Sequence, residues 1–77
     1  MTIKATLFGV LADYAQSSEI EISDVSTTKE LLQKVNNKYP SFKRVNYKIS
    51  VNHSLVSGDL KISPGDDIAL LPPFSGG

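Results

Sequence analysis

From Thr2 to Val10 apolar and polar positions alternate, with Ile3, Ala5 and Leu7 on one face and Lys4, Thr6 and Phe8 on the other. That period of two predicts a half-buried first strand. Leu11 to Ala15 has room for one turn of helix, after which Ile20 and Ile22 alternate with Glu19, Glu21 and Ser23 as a second strand. The two strands are expected to pair as a hairpin-like unit. Thr27 followed by Glu30 predicts a capped helix start, and Leu31, Leu32, Val35 and Tyr39 form its apolar stripe up to Pro40. Lys48 to Asn52 alternates again with Ile49 and Val51 inward, His53-Ser54 reads as a turn, and a short strand follows around Leu55 and Val56. Ser63-Pro64-Gly65-Asp66 is a strong turn signal before a last strand over Asp67 to Leu71.

Strands, one main helix and further strands around a single core make an α+β domain over residues 1–71, with the helix across one face of the sheet. No internal repeat, linker or low-complexity segment interrupts it. Seventy-seven residues suffice for one domain but not for a deep internal active site, so function is expected on the surface or at a terminus.

Eight basic residues balance eight acidic ones, which removes the net attraction that a nucleic-acid or anionic-membrane binder shows. Cysteine is absent, which excludes disulfides, thiolate metal sites and a cysteine nucleophile, and a single histidine excludes multi-histidine metal sites. The first residues lack the pattern of a signal peptide and no apolar run approaches a membrane span, so a cytoplasmic domain is expected.

The ending Pro72-Pro73-Phe74-Ser75-Gly76-Gly77 carries the candidate chemistry. Two prolines fix φ and lack amide donors, so residues 72–77 are expected to leave the sheet as an extended tail. At roughly 3.1–3.5 Å per residue such a tail spans about 20 Å, enough to enter another protein's active site. Gly76 and Gly77 can thread a channel too narrow for side chains, and the α-carboxylate of Gly77 is the one reactive group left there. Adenylation would turn it into a mixed anhydride open to attack by a sulfur nucleophile, with a thiocarboxylate as product. Terminal glycines are often no more than frayed ends. The prolines immediately before them, on a domain with no other catalytic group, favour the chemical reading.

Leu7-Phe8 with Leu11-Ala12, Val51-Asn52 with Leu55-Val56, and the whole stretch from Pro64 to Gly77 occur here in an order that resembles the MoaD/ThiS family of ubiquitin-like sulfur carriers, in particular the small subunits of molybdopterin synthase. The resemblance covers essentially the whole chain, and the Pro-Pro-x-Ser-Gly-Gly ending is its most specific part. It implies a β-grasp fold with a mixed sheet and no bound cofactor. ATP would be used by a MoeB-type adenylating enzyme acting on Gly77, and a sulfurtransferase or desulfurase would supply sulfur. The tail would then enter a MoaE-type large subunit and donate sulfur to cyclic pyranopterin monophosphate in molybdenum cofactor biosynthesis. The resemblance also implies a partner interface at Phe8, Leu55 and Leu71. Phe74 reads either as an anchor seated in a partner groove or as a variable spacer, the anchor being slightly favoured. Family members often carry a basic residue after the first strand where this chain has Ala12 and Asp13.

His53, between Asn52 and Ser54, reads as a surface turn residue, and Asp66 and Asp67 read as turn structure rather than a metal site. Six of the eight basic residues fall between Lys29 and Lys48, most simply a solvated helix face. Three other functions share parts of the pattern: a ThiS-type carrier for thiamin thiazole synthesis, a ubiquitin-like modifier joined to lysines through Gly77, and an interaction module without tail chemistry.

Overall fold

The first strand ends earlier than its alternation suggests, because Gly9 turns the chain with φ 57° and ψ −134°. The structure, a computed structural model, describes residues 2–73. Strand β1 covers Thr2–Leu7, helix α1 Val10–Ala15, β2 Glu19–Ser23, α2 Thr28–Lys38, β3 Lys48–Val51, β4 Ser54–Leu55 and β5 Ile68–Leu71. Val10, read as the end of the strand, opens α1 instead, and Asp67 lies just before β5 rather than within it.

The strands form one mixed sheet in the order β2-β1-β5-β3-β4. At its centre β1 runs parallel to β5, pairing Ala5 with Ile68, Thr6 with Ala69 and Leu7 with Leu70. The other pairs are antiparallel, including the expected β1/β2 unit with Ile3 opposite Ile22. This is the β-grasp arrangement that the family resemblance implies.

One face of the sheet is closed by α1 and α2. Ile3, Ala5 and Leu7 from β1, Ile20 and Ile22 from β2, Ile49 and Val51 from β3, and Ile68 and Leu70 from β5 all point into a core with Leu11, Leu31 and Val35. The alternation in β1, β2 and β5 thus maps onto burial, as a sheet covered on one face requires, whereas in β3 the outward Ser50 is buried as well.

Helix α2 starts with the capping box expected from its sequence: Thr27 Oγ1 accepts from the Glu30 amide at 3.3 Å, and Glu30 Oε1 accepts from the Thr27 amide at 3.2 Å. A second cap comes from far along the chain, where Asp59 Oδ1 accepts from the Lys29 amide at 3.0 Å. Buried Thr28 joins the same junction, its hydroxyl accepting from the Leu60 amide at 3.0 Å. Pro40 ends α2 as expected, but it also opens a 3-10 turn over Pro40–Arg44 that drives Phe42 fully into the core. Around that ring, Tyr39 stacks at 5.1 Å between centroids and Tyr47 meets it edge-on at 5.8 Å. The Tyr47 hydroxyl donates to Asn36 Oδ1 at 2.6 Å, and burial pushes its pKa up to about 12.

Phe42→Ala should therefore lower unfolding free energy by about 3–5 kcal/mol, read from the urea midpoint at constant slope. The caps predict an acid response. Glu30 is held below the ordinary carboxylate value by the Ser26 amide and hydroxyl, and Asp59 by the Lys29 amide. A depressed carboxylate stabilises the fold above its unfolded pKa, and this is lost as pH falls from about 4.5 through the lower folded value. Glu30→Gln with Asp59→Asn should flatten the stability decline in that acid range, measured by urea unfolding at stepped pH.

Candidate functional site

Among the described residues, no helix lies on the face of the sheet opposite α2. Across it runs one row of side chains fixed by register: Glu19 opposite Thr6, Thr6 beside Ala69, Ala69 opposite Ser50, and Ser50 opposite Leu55. The three central members are small. With Phe8, His53 and Asp67 they line a shallow depression of roughly 130 Å³, below the roughly 300–1,000 Å³ of a small-molecule pocket. The shape suits a protein surface rather than a metabolite. A larger open trough of about 450 Å³ lies between β2 and α2, where Lys34 Nζ donates to the Ser23 carbonyl at 2.9 Å. It is set at the sheet edge, away from the central strand that leads into the tail.

Phe8 is 47% exposed and Leu55 64%, and both stand on the open face. Phe8 lies beyond β1, yet its amide still donates to the Leu70 carbonyl at 3.3 Å, so the β1/β5 register carries on and brings it beside Leu71. Leu71 is half-buried, opposite Lys48. The three residues expected at a partner interface therefore share one face, with Leu71 the least available of them. Apolar groups gathered around a floor of small residues on a sheet face mark a surface that gains from being covered.

The rim opposite the tail is held by Asn52. Asn52 and His53 both have positive φ, 51° and 72°, which gives a two-residue turn of the hairpin type between β3 and β4. The Asn52 side chain donates to Asp66 Oδ1 at 3.2 Å and accepts from the Asp67 amide at 2.9 Å, while its own amide donates to the Asp67 carbonyl at 2.7 Å. Asp66 in turn accepts from the Ser63 amide at 2.8 Å, closing the Pro-Gly turn. Asp66 is structural, as read from the sequence. His53, for which spacing identified no partner, has Nε2 3.2 Å from Asp67 Oδ2 at the exposed edge of the depression.

At the opposite end β5 runs into Pro72 and Pro73. Pro72 is half-buried and does not project freely: its ring rests on Gly9, where an added Cβ would lie 2.9 Å from Pro72 Cγ. Phe74, Ser75, Gly76 and Gly77 lie outside the described residues. Among the described residues no three His, Asp or Glu side chains gather as a metal site, and no helix is long and apolar enough to cross a membrane.

The protein-family model described as the ThiS family matches residues 5–77. The chain belongs to the ThiS family. Solved structures with the same ThiS-type fold include SAMP1 from Haloferax volcanii, 24% identical over the whole of both chains with a TM-score of 0.83. A putative molybdopterin converting factor, subunit 1, from Pyrococcus furiosus is 22% identical with a TM-score of 0.84, covering 96% of this chain and 99% of that one. A complex of subunits 1 and 2 of molybdopterin-converting factor from Helicobacter pylori 26695 contains a chain 25% identical over the full length of both, with a TM-score of 0.71.

For this ThiS-family chain, sequence reasoning missed Gly9, Thr6, Ser50, Ala69 and the Asn52 clamp. Gly9 had a signal, since a glycine between a strand and an apolar helical turn marks a backbone break. The clamp had none, because its partners lie fourteen and fifteen residues apart.

The frame and the surface should respond differently to substitution. Asn52→Ala removes two side-chain hydrogen bonds and leaves alanine at positive φ, so it should lower stability by about 2 kcal/mol. Leu55→Ser should change it by less than about 0.5 kcal/mol, both read by urea unfolding.

Proposed function

We propose that this chain is the sulfur-carrier subunit of a molybdopterin synthase, working in the cytoplasm. The observation that carries the reading is the full-length likeness to a chain of the Helicobacter pylori complex between subunits 1 and 2 of molybdopterin-converting factor. The open face around Phe8, Leu55 and Leu71 supports it, since a MoaE-type subunit seated there would cover exposed apolar groups next to the tail root.

In this reading a MoeB-type enzyme directs a Gly77 carboxylate oxygen onto the α-phosphorus of ATP, and pyrophosphate leaves. The terminal sulfur of a persulfide, held by a sulfurtransferase or desulfurase, attacks the activated carbonyl carbon and expels AMP. A thiol then cleaves the acyl-bound S–S bond, forming a disulfide and releasing the thiocarboxylate. That sulfur passes to cyclic pyranopterin monophosphate, and water restores the carboxylate. The chain contributes the acyl group, its reach and its docking face, while the large subunit contributes the site of transfer.

The likeness to SAMP1 favours a second reading, a protein modifier that uses the same adenylate to form isopeptide bonds with lysines. A ThiS-type carrier for thiamin thiazole synthesis is separated by its acceptor, a thiazole synthase in place of a MoaE-type subunit.

Incubation with ATP, a MoeB-type enzyme and a persulfide donor should give a sulfur-for-oxygen mass gain confined to the peptide ending at Gly77. In a cysteine-free chain that product should also be trapped by a thiol-directed alkylating reagent. Deleting Gly77 should abolish the gain. No gain with an activating enzyme competent on a known carrier would overturn the reading, and lysine conjugates that depend on Gly77 would favour the modifier.

A further inference from the structure

The backbone at Gly9 is fixed from several directions. Phe8, just before it, extends the β1/β5 ladder to Leu70, and the Leu11 amide donates to the Phe8 carbonyl at 3.2 Å. The Gly9 carbonyl caps α1, accepting from Ala12 at 3.1 Å and Asp13 at 3.4 Å. Leu11, two residues on, is fully buried. At φ 57° and ψ −134° the residue occupies a region that side chains with an L configuration rarely adopt. Against this hydrogen-bonded backbone rests the ring of Pro72, close enough that one added carbon would stand 2.9 Å from its Cγ.

We propose that Gly9 is a positioning residue for the tail: its bare Cα is the seat of Pro72, and that seat sets the direction in which the chain leaves the domain at Pro73. Three features combine to this. Leu71 is tied to Lys48 across the sheet, so the strand delivers Pro72 at a fixed height. Proline has its φ locked, so a ring held against the seat leaves the chain few ways to depart. Pro73 follows with the same restriction, and four residues then separate it from the Gly77 carboxylate. A methyl at position 9 would lift the Pro72 ring and tilt the start of that path. Its bearing on catalysis rests on the sulfur-carrier reading above, whereas the aiming itself does not.

The test uses four full-length proteins: unsubstituted, Gly9→Ala, Pro72→Ala and the double variant. Because the chain has no cysteine, Ser75→Cys in each background accepts a single nitroxide label, and the domain amides that it broadens map where the tail points. Gly9→Ala should redistribute the broadening, and so should Pro72→Ala, which removes the ring from the seat. In the Pro72→Ala background a further Gly9→Ala should change little, since the two act through one contact. An unchanged map in folded Gly9→Ala, or an equal change with and without the proline, would overturn the proposal. Should Gly9→Ala fail to fold, an unchanged Pro72→Ala map would overturn it alone.

The unlabelled proteins give the second readout with a MoeB-type enzyme. Adenylation of Gly77 should lose roughly tenfold in kcat while KM for the protein stays constant, because the open face is untouched. A raised KM at constant kcat would assign Gly9 to docking and count against the proposal. If the unsubstituted chain is not adenylated, the sulfur-carrier reading falls, and the label maps still decide the seat.

Discussion

Everything at the candidate site depends on the parallel pairing of β1 with β5. That ladder joins residues more than sixty positions apart, Ala5 to Ile68 and Leu7 to Leu70, and both strands bury their inward side chains completely or nearly so. Loop closure of this length is entropically expensive, so the pairing is stable only with the core formed around it. It puts the strand that ends at Gly9 beside the strand that ends at Pro72. Residue 9 thereby comes against Pro72, the first residue after β5.

The two faces of this sheet have opposite fillings. Inward positions hold Ile, Val and Leu against α1, α2 and Phe42, and a one-residue slip would bring them into water. Outward positions along the central row hold the small residues Thr6 and Ala69, both half-buried, and Ser50, which is buried. A low floor between taller apolar neighbours results. A partner can approach the backbone closely there, which large side chains at those positions would prevent.

Legibility in the sequence followed the range of the interactions. The capping box at Thr27 and Glu30 and the strand alternations are local, and both match the structure apart from the ends of β1 and β5 and the buried Ser50 of β3. The residues 40–47 carry no period, so neither the 3-10 turn nor the burial of Phe42 could be read, although the ring is central to the core. The alternation Leu7, Phe8, Val10 continues the strand on paper, and only the backbone of Gly9 stops it. Asp59 capping α2 and Asn52 bracing the Asp66 turn depend on contacts set by topology. The site was therefore half visible: its apolar members are conspicuous as residue types, while the glycine, the clamp and the small floor gain meaning only from their neighbours.

The neutral net charge conceals a strong asymmetry. Of the eight acidic residues only Glu30 falls within the Lys29–Lys48 stretch that holds six of the eight cations. Neither of the ion pairs among the described residues, Lys4 with Glu21 and His53 with Asp67, neutralises that stretch. The open face carries both signs, with Glu19, Glu21 and Asp67 beside Lys4 and Lys48. With no net charge, the domain feels little pull from a charged partner beyond about one Debye length, about 8 Å at physiological salt. Closer in, opposite signs meet only in particular orientations, so ionic strength acts on the orientation of encounters more than on their number.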